Sequence, residues 1–196
     1  GITVGSVKLD SNKMLARKDA IVTKMTAGIQ FLFRKNKITT LKGHASFVGK
    51  TADGYQIQID GKDAGTVTAK NVIIATGSKA RHLPNIPVDN VLVCDNIGGL
   101  KFDSIPKRLG VIGAGVIGLE LGSVWRRVGS EVTVLEGLPT FLGACDEGIA
   151  KEAHKIFVKQ GLKINMGVTI GEVKADKKGV VVQYQDAEGK AQKLEC

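Results

Sequence analysis

RLGVIGAGVIGLELGSVWRRVGSEVTVLE, residues 108–136, is the stretch on which the reading of this chain turns. Leu109-Gly110-Val111-Ile112 is a short apolar run of strand length, Gly118 to about Val128 has helical periodicity, and Glu131-Val132-Thr133-Val134-Leu135 is again strand-like. Between the first strand and the helix lies Gly113-Ala114-Gly115-Val116-Ile117-Gly118, a G-x-G-x-x-G string at the strand-to-helix turn where it has a mechanism. Gly113 permits the tight turn, Gly115 lets the backbone approach a pyrophosphate, and Gly118 lets helix and strand pack closely. The helix N-terminus offers free N–H groups and a partial positive charge to the phosphates.

Glu136 closes the second strand 18 residues after Gly118, near the spacing of about 20 at which an acid reaches the adenosine ribose. Its carboxylate can accept from both ribose hydroxyls and repels a 2′-phosphate, which favours NAD(H) over NADP(H). Glu120, two residues past Gly118, reads from sequence alone as a first-turn acid favoured by the helix dipole.

Working outward, a second helix is expected from about Glu147 to Gln160, with Ile149, Ala153, Ile156 and Phe157 inward, stopped by Gly161 in the left-handed position that suits glycine. Short strands are expected near Leu162–Asn165, Thr169–Val173 and Val180–Tyr184. The strand-helix-strand-helix-strand order is that of a doubly wound, Rossmann-like parallel sheet in an α/β protein. Upstream, apolar residues at Met14, Ile21, Val22, Met25, Ile29, Leu32 and Phe33 predict a long amphipathic helix from Ser11 to about Lys37. Alternation at Tyr55, Ile57 and Ile59, the turn Asp60–Gly65 and the return through Thr66-Val67-Thr68 predict, with Ala45–Val48, a small antiparallel meander. Val72-Ile73-Ile74-Ala75 is continuously apolar, as a parallel strand buried on both faces is, yet residues 1–71 offer it no parallel neighbour. A connecting segment from Lys79 to Pro106 has no long periodicity.

Composition narrows the function classes. With 43% hydrophobic and 24% charged residues in 196, the chain is of ordinary globular type. No apolar run reaches the ~18 to 20 residues of a membrane span, and Gly1-Ile2-Thr3-Val4 does not read as a signal peptide. The formal charge is +9, and residues 1–50 carry ten lysines and arginines against two aspartates, so the excess is mostly the N-terminal helix. Such a segment reads as a solvated face, or one meeting an acidic partner, rather than a nucleic-acid site, and aromatics for base stacking are scarce at 5%. Cys94, Cys145 and Cys196 are too far apart in sequence for a C-x-x-C pair, and with His44, His82 and His154 they show no ligand spacing. Three free thiols, no metal site, and His154 on the exposed side of its helix are expected.

Val72–Ser78 (VIIATGS), Ile105–Leu135 and Glu136 together resemble the pyridine nucleotide-disulfide oxidoreductases, and within them the dihydrolipoamide dehydrogenase family. The resemblance extends to the helix containing Gly28–Phe33 and to Lys42-Gly43-His44-Ala45. It implies an NAD phosphate loop at Gly113, Ala114, Gly115, Val116, Ile117, Gly118, Leu119 and Glu120, with Glu136 on the ribose and Val168 beside the adenine. It implies FAD contacts at Gly43, by backbone against the adenine, and at Thr76, Gly77 and Ser78. Glu120 would then match an acid that pairs with a lysine near the flavin. Residues 1–104 would be the partial second half of an FAD-binding domain (helix, meander, one parallel strand), and residues 105–196 an NAD-binding domain short of its last strand.

The family's N-terminal FAD fingerprint, its C-x-x-x-x-C redox disulfide, its Gly-Asp for the FAD ribitol and its interface domain with a His-Glu pair have no match here. The chain is therefore expected to be an internal piece with an incomplete FAD site, no catalytic residue of its own and no activity in isolation. The resemblance implies that the parent is a cytoplasmic homodimer that oxidises dihydrolipoyl groups on an acyltransferase or a glycine-cleavage carrier protein, without nucleic acid or membrane. Two other readings stand beside it: another NADH-using flavoprotein of the same architecture, such as an NADH peroxidase or transhydrogenase, and a non-enzymatic module binding through its basic helix.

Overall fold

The computed structural model describes residues 1, 3–84 and 86–196. It divides into two compact units, residues 16–79 and residues 1–15 with 80–196.

The first unit holds most of α1 (Ser11–Lys35) and a meander of β1 (His44–Thr51), β2 (Gly54–Asp60) and β3 (Gly65–Ala69). At its start α1 is capped by the Asp10 carboxylate, which accepts from the Lys13 N–H at 3.0 Å. It ends where Lys37 turns left-handed (φ 56°) and the Ile38 N–H reaches back to the Phe33 carbonyl at 2.9 Å. The strands run antiparallel in the order β1-β2-β3, with Ile57 opposite both Phe47 and Val67. Asp63 ties the β2–β3 turn back to the chain before β1: its carboxylate accepts from the Lys42 N–H at 2.7 Å and its N–H donates to the Lys42 carbonyl at 3.0 Å. Ile59 is buried, and α1 buries none of its residues.

The strand expected at Val72–Ala75 does not form, and Ile73 and Ile74 are 90% and 73% exposed. A parallel strand is made by its hydrogen-bonded neighbours. Among the described residues none pairs with this one, so its apolar sequence has no ladder to join.

The second unit carries the expected β-α-β-α-β order: β4 (Arg108–Ile112), α2 (Val116–Arg127), β5 (Glu131–Glu136), α3 (Glu147–Lys159) and β6 (Lys163–Met166). The strands are parallel in the order β4-β5-β6, Ile112 facing Leu135 and Glu136 facing Met166. An antiparallel meander follows, β7 (Thr169–Asp176), β8 (Gly179–Gln185) and β9 (Ala191–Glu195), in that order.

The alternation of side chains along β5 explains how the layers stack. Val132 and Val134 point to one face and join Ala114, Leu119 and Leu162, backed by Phe157 of α3. Leu135 points to the other and joins Val168, Val173, Val180 and Val182. The parallel sheet therefore has helices on one face and the β7–β9 meander on the other.

Two details of α3 differ from the pattern read in the sequence. Ile149 and Ile156 are exposed, while Ala150 is buried. His154, expected outside, is half-buried with its ring edge-on to Phe141 at 4.9 Å. The Asp146 carboxylate, accepting from the Gly148 and Ile149 N–H groups, sets where the helix starts, and Ala150, His154 and Phe157 form its inward face. Gly161 ends it at φ 94°, as expected, and a side chain there would strike Arg126. β9 had no sequence signal because Leu194 is its one large apolar residue.

The segment before β4 is fastened to this unit. The Trp125 indole donates to the Gly99 carbonyl at 2.9 Å and its ring meets Phe102 at 5.2 Å. The buried Ser130 hydroxyl donates to the Pro106 carbonyl at 2.6 Å.

Candidate dinucleotide site

β4 delivers the chain to Gly113, whose φ of 103° turns it out of the sheet. A side chain is strained in that conformation. The turn is held to the end of β5 by the Gly113 N–H, which donates to the Leu135 carbonyl at 2.8 Å, and by the Ala114 N–H, which donates to Glu136 Oε2 at 2.6 Å. Gly115 is the extended N-cap of α2, and its carbonyl accepts from the Leu119 N–H at 3.0 Å. No side chain caps this helix end, so its first N–H groups and positive dipole end remain for an anion.

The three glycines differ in what surrounds them. A Cβ on Gly118 would lie 2.3 Å from the Gly113 carbonyl oxygen and 3.1 Å from Val111 Cγ1, so glycine is demanded by helix-to-strand packing. A Cβ on Gly115 would meet nothing within 4 Å. Packing therefore does not demand a glycine at 115; the absent side chain leaves an open cradle in front of the helix N-terminus. That cradle fits a pyrophosphate.

The other sequence-selected positions fall into two groups. Ala114 and Leu119 are buried in the helix-side core and present main chain only, whereas Val116, Ile117 and Glu120 are exposed around the start of α2. Val168 is 4% exposed, turned into the cluster beneath the meander, and its N–H donates to the Glu136 carbonyl at 3.0 Å. What it can offer an adenine is chiefly its backbone. Glu136 is half-buried; its Oε1 accepts from the Leu138 N–H at 2.8 Å. Leu138 was not singled out in the sequence, and a main-chain donor leaves no signal there.

In the other unit Gly43 is fixed by packing, since a Cβ would lie 2.6 Å from the Asp60 carbonyl oxygen and 2.7 Å from Ile59 Cγ2. Thr76-Gly77-Ser78 is irregular and exposed, with Gly77 at φ 76° and open space around it.

The cysteines are free among the described residues. Burial pushes the Cys196 thiol above its ordinary value, and burial with the charges of Asp89 and Asp95 does the same for Cys94. Both are therefore poor thiolates. No group of three metal-ligating side chains converges among the described residues, and no described helix is long and apolar enough to cross a membrane.

The open glycine loop, the free helix end and the acid on the next strand lie together at one end of a parallel α/β sheet. Residues 3–196 match the family described as pyridine nucleotide-disulphide oxidoreductase, and the chain belongs to that family. It is 68% identical over 195 residues to the dihydrolipoyl dehydrogenase of Cupriavidus necator and 41% identical over 191 residues to dihydrolipoyl dehydrogenase 3 of Pseudomonas aeruginosa. These alignments cover 100% and 97% of this chain but 40% of each relative, so the chain spans about two-fifths of their length. The crystal structure of LpdA from Mycobacterium tuberculosis superposes with a TM-score of 0.81 over 96% of this chain and 42% of that one, at 22% identity, which supports the fold.

Proposed function

We propose that the chain is the nucleotide-binding part of a flavin-dependent dihydrolipoyl dehydrogenase, residues 105–196 taking NAD and residues 1–104 contributing part of an FAD site. The open cradle at Gly115, beside a helix N-terminus without a side-chain cap, carries this reading. The main chain at Gly115–Ile117 holds the pyrophosphate against the positive end of α2, and Glu136 receives the adenosine ribose hydroxyls. The carboxylate disfavours a 2′-phosphate, which favours NAD over NADP. Gly43 and Thr76-Gly77-Ser78 offer backbone to FAD. When bound, the flavin supplies the route by which electrons from a dihydrolipoyl dithiol, received through a disulfide, reach NAD+.

The parent's partners are then the dihydrolipoyl groups of an acyltransferase or of a glycine-cleavage carrier, and the parent is a homodimer of the cytoplasm. The 196-residue chain by itself does not turn over, because it has no closely spaced cysteine pair to accept the substrate's electrons.

Calorimetric titration with NADH of this chain and of its Gly115→Val variant tests the assignment. The valine has room in the protein and fills the cradle, so binding is expected to weaken by two orders of magnitude or more at unchanged Tm. Equal affinity in the two proteins overturns it.

A further inference from the structure

We infer that Glu136 is a positioning residue for the phosphate loop as well as the reader of the ribose; this rests on the dinucleotide reading just given. Its two carboxylate oxygens are divided between two main-chain donors. Oε2 takes the Ala114 N–H at 2.6 Å, inside the glycine loop, and Oε1 takes the Leu138 N–H at 2.8 Å, in the chain leaving β5. With the Gly113 N–H on the Leu135 carbonyl at 2.8 Å, two successive loop amides are pinned to two successive residues of the neighbouring strand. The second pin is a side chain, so the height of the loop over the sheet end depends on the residue at 136.

The chemistry restricts that residue further than ribose recognition does. A ribose hydroxyl both donates and accepts, so an amide at 136 can serve it. Two N–H donors, one on each oxygen, need two acceptors, and only a carboxylate has them. Glutamine would set its own NH2 against either Ala114 or Leu138 and release that end of the clamp. A carboxylate has about four lone-pair sites, so ribose hydroxyls can donate to Glu136 without displacing the main-chain donors. The loop is therefore held in its binding form before the nucleotide arrives, and less order is lost on binding.

Amide hydrogen exchange on this chain, followed residue by residue, tests the clamp without any nucleotide. The Ala114 and Leu138 amides are expected to be protected. Glu136→Ala is expected to speed both at least tenfold, and Glu136→Gln one of the two, with the Val134 amide in the core as the folding control. Unprotected Ala114 exchange in the unaltered chain overturns the inference whatever the variants do, as does protection at both amides that neither variant changes.

NADH and its analogue lacking the adenosine 2′- and 3′-hydroxyls then separate loop from ribose. Acting through the loop, Glu136→Gln weakens both ligands by a similar factor of five or more; a loss confined to NADH overturns the positioning role. If the unaltered chain binds neither ligand, the dinucleotide reading falls while amide exchange still decides the clamp.

Discussion

Residues 16–79 and 80–196 have comparable proportions of apolar residues and bury them very differently. In the larger unit a parallel sheet is covered on both faces, and Val132, Val134 and Leu135 of one strand are each within 1% of complete burial. In the smaller, Ile59 is the one hydrophobic side chain in the buried class among the described residues, and the apolar stripe of α1 lies open at Ile21, Val22, Met25, Ile29 and Leu32. Periodicity alone thus says which face of an element seeks a partner. Burial requires a second layer, and the energy follows the burial.

That contrast can be broken most directly by matched truncations. Leu119→Ala, in the helix-side core, is expected to cost about 3 kcal/mol, whereas Leu32→Ala on α1 should cost no more than about 0.5 kcal/mol. Denaturant unfolding of the two variants measures both, and equal costs would mean that α1 is covered in solution. A smaller effect is expected where the connecting segment is fastened. Trp125→Phe keeps an aromatic ring but leaves the buried Gly99 carbonyl without its donor and a void where the rest of the indole packed, at about 2 kcal/mol together. Faster amide exchange over residues 98–104, with the β5 core unchanged, would show that this segment depends on the larger unit.

The smallest effect concerns pH. The Asp89 carboxylate accepts from the N–H groups of Val91, Leu92 and Val93, and Asp95 from those of Ile97 and Gly98. These bonds, that to Val91 and that to Ile97 foremost, hold both carboxyls below their ordinary value. A carboxyl whose folded value is depressed stabilises the fold above the ordinary range and loses that contribution as pH falls through the folded value. The turn at residues 89–98 is therefore expected to loosen as pH drops below about 4, ahead of the sheet, in a chemical-shift titration. Simultaneous loss of turn and sheet would remove the distinction between them.

Much of the larger unit was legible in its residues. The strand-glycine-helix junction and the stop at Gly161 rest on backbone conformations set within a few residues, and the acid at 136 on its spacing from the glycines, so sequence pattern carries them. The space at Gly115 is open, and a side chain at Gly118 would collide with the Gly113 carbonyl. The rotation of α3 was less legible, because Ala150, His154 and Phe157 rather than the isoleucines face inward. Val72–Ala75 reads as a strand and forms none for a related reason: a β ladder is a contract between segments, and this segment has no partner among the described residues.

The sequence by itself determined the α/β class, the place of the glycine loop and the acid that faces it, since each depends on periodicity or on backbone conformations that few residues adopt. Tertiary structure alone decided which layer covers the sheet's second face, that Val168 turns inward, and that the Glu136 carboxylate grips the Ala114 N–H 22 positions away. Those outcomes depend on main-chain donors and neighbours far off in sequence, whose positions exist only once the strands are paired.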